Sequence, residues 1–127
     1  MKIMKFKDMD FIPSHHEDPT NPGVYIKRLL LKEDLLPGRI QMINWAKIPA
    51  HKSIHPHYHE QMIEVFIILD GRMTVIVDDK SMKVEPGDTI IAEAREIHQF
   101  INDSSEDVNY IAIGVVTGEG GKTVVVK

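Results

Sequence analysis

A chain of 127 residues is long enough for one compact domain with its own core and too short for two ordinary ones. Hydrophobic residues make up 43% and charged residues 27%, a globular balance that excludes a disordered chain. The formal charge of -4 supplies no basic field for a phosphate backbone, and the absence of cysteine removes disulfides, thiolate metal sites and a cysteine nucleophile.

The first residues, MKIMKFKDMDFIP, alternate lysines with apolar side chains and contain no apolar run suited to a signal peptide. No segment approaches the roughly 20 apolar residues that cross a bilayer. The expectation is a cytoplasmic protein whose partner is a small molecule rather than nucleic acid or membrane.

From Phe11 to Gly23 the density of Pro, Asn, Asp and Gly predicts an extended loop, with His15 and His16 in a solvated stretch beside Glu17 and Asp18. Val24 to Leu31 reads as a strand, and Lys32 to Gly38 as a turn or short helix. Beyond Arg39 short apolar runs alternate with turn residues. Ile40–Ile48 ends at Pro49, Glu64–Asp70 at Gly71, and Met73–Val77 at the turn Asp78-Asp79-Lys80. Ser81–Glu85 runs into Pro86-Gly87, where Pro sets φ and Gly accepts the positive φ of a type II turn. Asp88–Ala94, Glu96–Asn102 and Val108–Val116 follow, then the glycines of GEGG, and Thr123–Val126 ends the pattern. Runs of this length, rich in Val, Ile, Phe and Tyr, predict an all-β sandwich or barrel.

Along Glu64–Leu69 both alternating sets are apolar apart from Glu64 itself. This predicts a closed barrel whose outer face is also covered, by a second subunit for example.

Of seven histidines, four fall in HKSIHPHYH, at positions 51, 55, 57 and 59. The last three are two apart and would share one face of an extended strand. Glu64 opens the next run, and His98 comes from a separate hairpin. Three imidazoles and one carboxylate suit Fe, Mn, Ni, Co, Cu or Zn better than Ca or Mg. Four protein ligands leave coordination positions open, as catalytic sites require. An isolated HxH is more often a surface pair, and a lone buried His98 would be a core histidine; joint spacing is what raises the set above either. Glu60 has the opposite strand parity to His59 and ranks below Glu64, whereas His51 and His55 read as loop or rim residues.

These residues resemble the two motifs of the cupin superfamily. His57-x-His59-x4-Glu64-x6-Gly71 matches the first motif, G-x5-H-x-H-x3-4-E-x6-G, at every position after its leading glycine. Gly87, His98 and Asn102 keep the spacing of the second, G-x5-P-x-G-x2-H-x3-N. His51 stands in place of the leading glycine, Glu93 in place of the proline and Arg95 in place of the inner glycine, which puts those loops in question more than the ligands.

The resemblance implies a jelly-roll barrel spanning residues 1–127 as a single domain, with residues 40–116 as its core and the metal bound by His57, His59, Glu64 and His98. It also implies homodimers built from the chain ends, residues 1–39 and 117–127. Phe66 and Phe100 share strand faces with Glu64 and His98 and are expected either to wall a substrate pocket or to pack as core. Asn102 is expected to anchor the turn after its strand.

Such a barrel serves enzymes and binding modules alike. A metalloenzyme acting on a small oxygen-rich metabolite is ranked first, dioxygenase-like because no separate acid/base pair is visible within the motifs. An isomerase or epimerase and a non-catalytic binding or sensing module are the alternatives.

Overall fold

The computed structural model describes residues 1–35, 37–118 and 122–126; Glu119, Gly120 and Gly121 of the GEGG sequence, with Leu36 and Lys127, lie outside the described residues. Among the described residues eleven strands form two antiparallel sheets, joined by loops and two single-turn 3₁₀ helices, Phe6–Asp8 and Lys32–Asp34. In chain order the strands are β1 (Ile12–Pro13), β2 (Tyr25–Leu31), β3 (Ile40–Ile48), β4 (His57–His59), β5 (Met62–Asp70), β6 (Met73–Val77), β7 (Lys80–Val84), β8 (Thr89–Ala92), β9 (His98–Ile101), β10 (Val108–Val116) and β11 (Thr123–Val125). The six-stranded sheet runs β1-β2-β3-β10-β5-β8 and the five-stranded sheet β11-β4-β9-β6-β7. This is a jelly-roll fold, and among the described residues no helix is long and apolar enough to cross a membrane.

Period-2 burial decides which face each strand turns inward. On β10, Val108, Tyr110, Ala112 and Gly114 are buried, while the residues between them are only partly so. On β5, Glu64, Phe66 and Ile68 are buried, Val65 and Ile67 are half-buried, and Leu69 is exposed. Within the chain the outer face of this strand is thus only partly covered. Beneath the sheets Phe66, Phe100 and Tyr110 pack edge to face, their ring centroids 4.7 to 5.7 Å apart, the geometry that aromatic quadrupoles favour.

Turn chemistry sets the register. The β6–β7 hairpin closes on Asp78 and Asp79, whose φ values of 44° and 68° make the two-residue turn that matches strand twist. The turn at Pro86-Gly87 places Gly87 at φ 93° and is closed by the Asp88 amide donating to Glu85 O. At the two places where the motif expects glycine, His51 and Arg95 adopt φ of 62° and 69°. The backbone keeps the left-handed conformation without the residue that adopts it most cheaply. Buried Asn102 donates Nδ2–H to the carbonyls of Ile48, Pro49 and Glu106 and accepts from Ser104, tying β3 to the loop after β9.

Both terminal strands pair inside the chain: β2 lies antiparallel to β3, and β11 to β4. The Phe11–Gly23 segment is not the solvated loop its composition predicts. Ser14 and Glu17 are buried, and Gly23 lies so close to Ser53 that a Cβ would meet its carbonyl oxygen at 1.8 Å. Glycine alone permits that approach, and it lets the segment dock on the barrel as a strap.

Candidate metal centre

The residues of HYH on β4 turn His57 and His59 to the interior, and the Tyr58 between them faces outward. His98 begins β9 and is the antiparallel partner of His57. Glu64 reaches the same point from the opposite sheet, where it is flanked by Ala92 and Gly114. Small neighbours on both sides leave that strand face open around the carboxylate. The four residues are buried, and each offers a ligand atom lying within 4.8 Å of the others.

The far side of each imidazole is held. His57 Nδ1–H donates to the carbonyl of His55 at 2.9 Å, and His98 Nδ1–H donates to that of Glu96 at 3.2 Å. His59 Nδ1 lies 2.9 Å from the Thr123 hydroxyl on β11. A carbonyl partner requires the hydrogen on Nδ1, which leaves Nε2 of His57 and His98 with its lone pair free. His59 Nε2 and His98 Nε2 both face Glu64 Oε1, the latter at 3.4 Å, yet both nitrogens are buried without a hydrogen-bond partner among the described residues. Buried polar atoms left unpaired are costly, and here they converge on one point.

The electrostatics suit a neutral His57 imidazole beside an ionised Glu64 carboxylate. Burial, helped by the charges of His98 and His16, pushes the His57 imidazole down to about 3. Burial pushes the Glu64 carboxyl up, but contact with His59 and His98 outweighs it, and the net shift is well below the ordinary carboxylate range. At neutral pH neither His57 nor Glu64 has to lose a proton before accepting a cation.

A cavity of about 460 Å³ opens onto this cluster. Phe66 lines it, while Phe100 lies behind Phe66, fully buried in the core. Glu60 is outside the cluster, its carboxylate accepting the Lys122 amide. His55 does not share the inward face of His57 and His59. Its amide is taken by the Glu17 carboxylate instead of a strand partner, Pro56 intervenes before β4, and its ring stays half exposed beside Glu17. His51 is exposed on its loop.

The strap contributes what the motifs do not contain. His16 stacks on His57 with centroids 4.1 Å apart and planes 27° apart, and His15 and His16 both line the cavity. Glu17 accepts the amides of Gly23 at 2.8 Å and His55 at 2.9 Å, with Nδ1 of His16 and His55 at 3.3 and 3.2 Å. Burial pushes the Glu17 carboxyl up; His16 and the two amides more than reverse this and hold it at about 2. Arg28, Asn44 and Tyr110 complete the parts of the wall that sequence reasoning passed over. Only strand parity, applied outside the motifs, would have singled out Tyr110, two residues from Val108 and Ala112 on the buried face of β10.

The family model "Cupin domain" matches residues 44–114, more than half of the chain and all four clustered residues. The chain belongs to the cupin family. Among curated proteins it is similar to quercetin 2,3-dioxygenase of Bacillus subtilis, 36% identical over 82 residues, which cover 65% of this chain and 24% of that protein. The chain thus spans about a quarter of that relative's length. Among solved structures it is similar to a predicted oxalate decarboxylase from Thermotoga maritima, with a TM-score of 0.80, 21% identity, and coverage of 91% of this chain and 99% of that one. A sugar phosphate isomerase from Silicibacter pomeroyi superposes with a TM-score of 0.74 and 19% identity, over 91% of this chain and 76% of that one. At such identities these two likenesses speak for the fold alone.

Proposed function

We propose that this cupin is a metalloenzyme in which His57, His59, Glu64 and His98 hold one divalent transition metal, Fe, Mn, Ni, Co, Cu or Zn, and that it converts a small oxygen-rich metabolite in an oxygen-dependent, dioxygenase-like reaction. The observation that carries this reading is the convergence of unpaired, buried imidazole nitrogens and an ionised carboxylate at the end of an open cavity. A structural site would be closed by its four ligands, whereas a mixed N₃O set beside a cavity retains positions for other molecules. When bound, such a metal supplies Lewis acidity to a chelated oxygen of the substrate and, if redox-active, electrons for O₂ chemistry.

The chain's own residues orient and shield. Phe66 and the aromatic cluster behind it keep water from one side of the site, and Thr123, His55 and Glu96 hold the imidazoles in place. The likeness to a quercetin dioxygenase supports the oxygen-dependent reading.

A second reading, isomerisation, gains from the strap. His15 and His16 are proton-carrying groups on the cavity wall, and neither belongs to the motifs. Exposed Leu69 and Ile91 on the outer face of the six-stranded sheet support a homodimer, which light scattering would detect.

Elemental analysis of untagged protein, scaled to metal per chain, tests the centre, and substrate-dependent O₂ uptake tests the reaction. Redox metal with O₂ uptake supports the first reading. Metal with solvent-hydrogen exchange into substrate and no O₂ uptake supports the second. Protein that neither contains nor takes up any of the six metals overturns both.

A further inference from the structure

The cavity wall is built differently at its two ends. Glu64, His57 and His59 line one part of it, and β2 contributes Arg28 to another. Arg28 is the cross-strand partner of Asn44 on β3, and both side chains line the cavity, so two polar groups stand side by side on neighbouring strands. Asn44 Oδ1 is buried without a hydrogen-bond partner, and Arg28 forms no salt bridge among the described residues.

A cation here runs against the background, because the chain carries a net charge of -4. On this side of the cavity Arg28 and Lys32 stand against the single carboxylate of Glu33, so that wall keeps a net positive charge. An arginine without a carboxylate partner, beside a polar side chain lacking its own hydrogen bond, is a recognition pair awaiting an anion and a hydroxyl.

We propose that Arg28 is the specificity-determining residue of this site and selects a small organic acid, holding the carboxylate while Asn44 pairs with a hydroxyl and the acid's other oxygens face the His57–His59–Glu64–His98 cluster. The planar fork of one guanidinium matches a carboxylate with two parallel N–H···O bonds, and partial removal from water strengthens them. A dianionic phosphate would call for more donors than this wall supplies. The orientation that follows is single: the acid end lies toward β2 and the chelating end toward the cluster. This assignment rests on the metal-centre reading for the far end of the substrate, but not for the carboxylate end.

The test compares 3,4-dihydroxybenzoate with its neutral amide, 3,4-dihydroxybenzamide, by titration calorimetry on cobalt(II)-loaded and on chelator-treated protein. Cobalt content and visible absorption are followed in parallel. The unaltered protein is expected to bind the acid about tenfold or more tightly than the amide. Arg28→Gln removes that preference by weakening the acid alone, and Arg28→Lys restores part of it. Arg28 is exposed at the mouth, so these variants keep the fold, which circular dichroism verifies.

Equal affinities for acid and amide, no detectable binding of the acid, a preference that survives in Arg28→Gln, or displacement of the acid by an equimolar organic phosphate each overturns the assignment. Retained cobalt with no acid preference refutes Arg28's role and leaves the metal centre standing. An Arg28-dependent acid preference in protein that takes up no cobalt refutes the metal centre and leaves Arg28's role standing.

Discussion

Replacing Glu17 by Gln removes one charge from a buried pocket while nearly preserving its shape. The carboxylate is 1% exposed and accepts the amides of Gly23 and His55, with imidazole nitrogens of His16 and His55 around it. Its acidity, moved from an ordinary 4.5 to about 2, corresponds to about 3 kcal/mol favouring the folded state. Because the folded group is the stronger acid, that stability is complete above pH 4.5 and is lost as pH falls toward 2. Glutamine has no such pH dependence, and its NH₂ group must face one of two amide donors. We expect Glu17→Gln to lower the unfolding free energy by about 2–3 kcal/mol at pH 7, and the gap to shrink to about 1 kcal/mol by pH 3. Urea titrations of metal-free protein, followed by the fluorescence of the single tryptophan, Trp45, measure both quantities. A gap below about 0.5 kcal/mol at pH 7, or one of equal size at both pH values, would refute the reasoning.

Further expectations concern the centre and the loops around it. On the proposed centre, His57→Ala and His98→Ala are each expected to abolish stoichiometric metal by elemental analysis, since each removes one of the four converging ligand atoms. On the proposed centre, Thr123→Val leaves the barrel intact but weakens metal affinity about ten- to a hundredfold in a competition titration, because the His59 ring loses the Thr123 hydroxyl. Arg95→Gly raises the unfolding free energy by about 0.5–1 kcal/mol, as relief of the left-handed strain at φ 69° exceeds the entropy that glycine adds to the unfolded chain. Asn102→Ala destabilises by about 2–4 kcal/mol in the same urea assay, leaving the carbonyls of Ile48, Pro49 and Glu106 without their donor.

Much of the barrel is written in short-range signals. Strands β3, β6 and β10 begin and end where apolar runs meet Pro49, Asp78 and Thr117. The His57–His59 pair is legible because two residues on a strand share a face, whatever the rest of the chain does. His55 breaks that parity because its amide bonds Glu17, a residue of a segment that composition assigns to solvent. The motif's missing glycines at 51 and 95 change the residue but not the backbone, since neighbouring bonds, such as Arg95 N–H to His59 O at 2.7 Å, hold the turn in place.

Residue order alone therefore determined the all-β class, the turns and the shared face of His57 and His59, because pleat period and turn chemistry act over a few neighbouring positions; Glu64 and His98 joined that pair through the spacing of the two cupin motifs. Tertiary structure decided the rest. The stacking of His16 on His57, the Glu17 pocket, the Thr123 contact with His59 and the Arg28–Asn44 pair all join residues from separate segments of the chain. Each is an ordinary residue in an ordinary stretch of sequence, and its role comes from what sheet pairing and the close approach of Gly23 to Ser53 bring beside it.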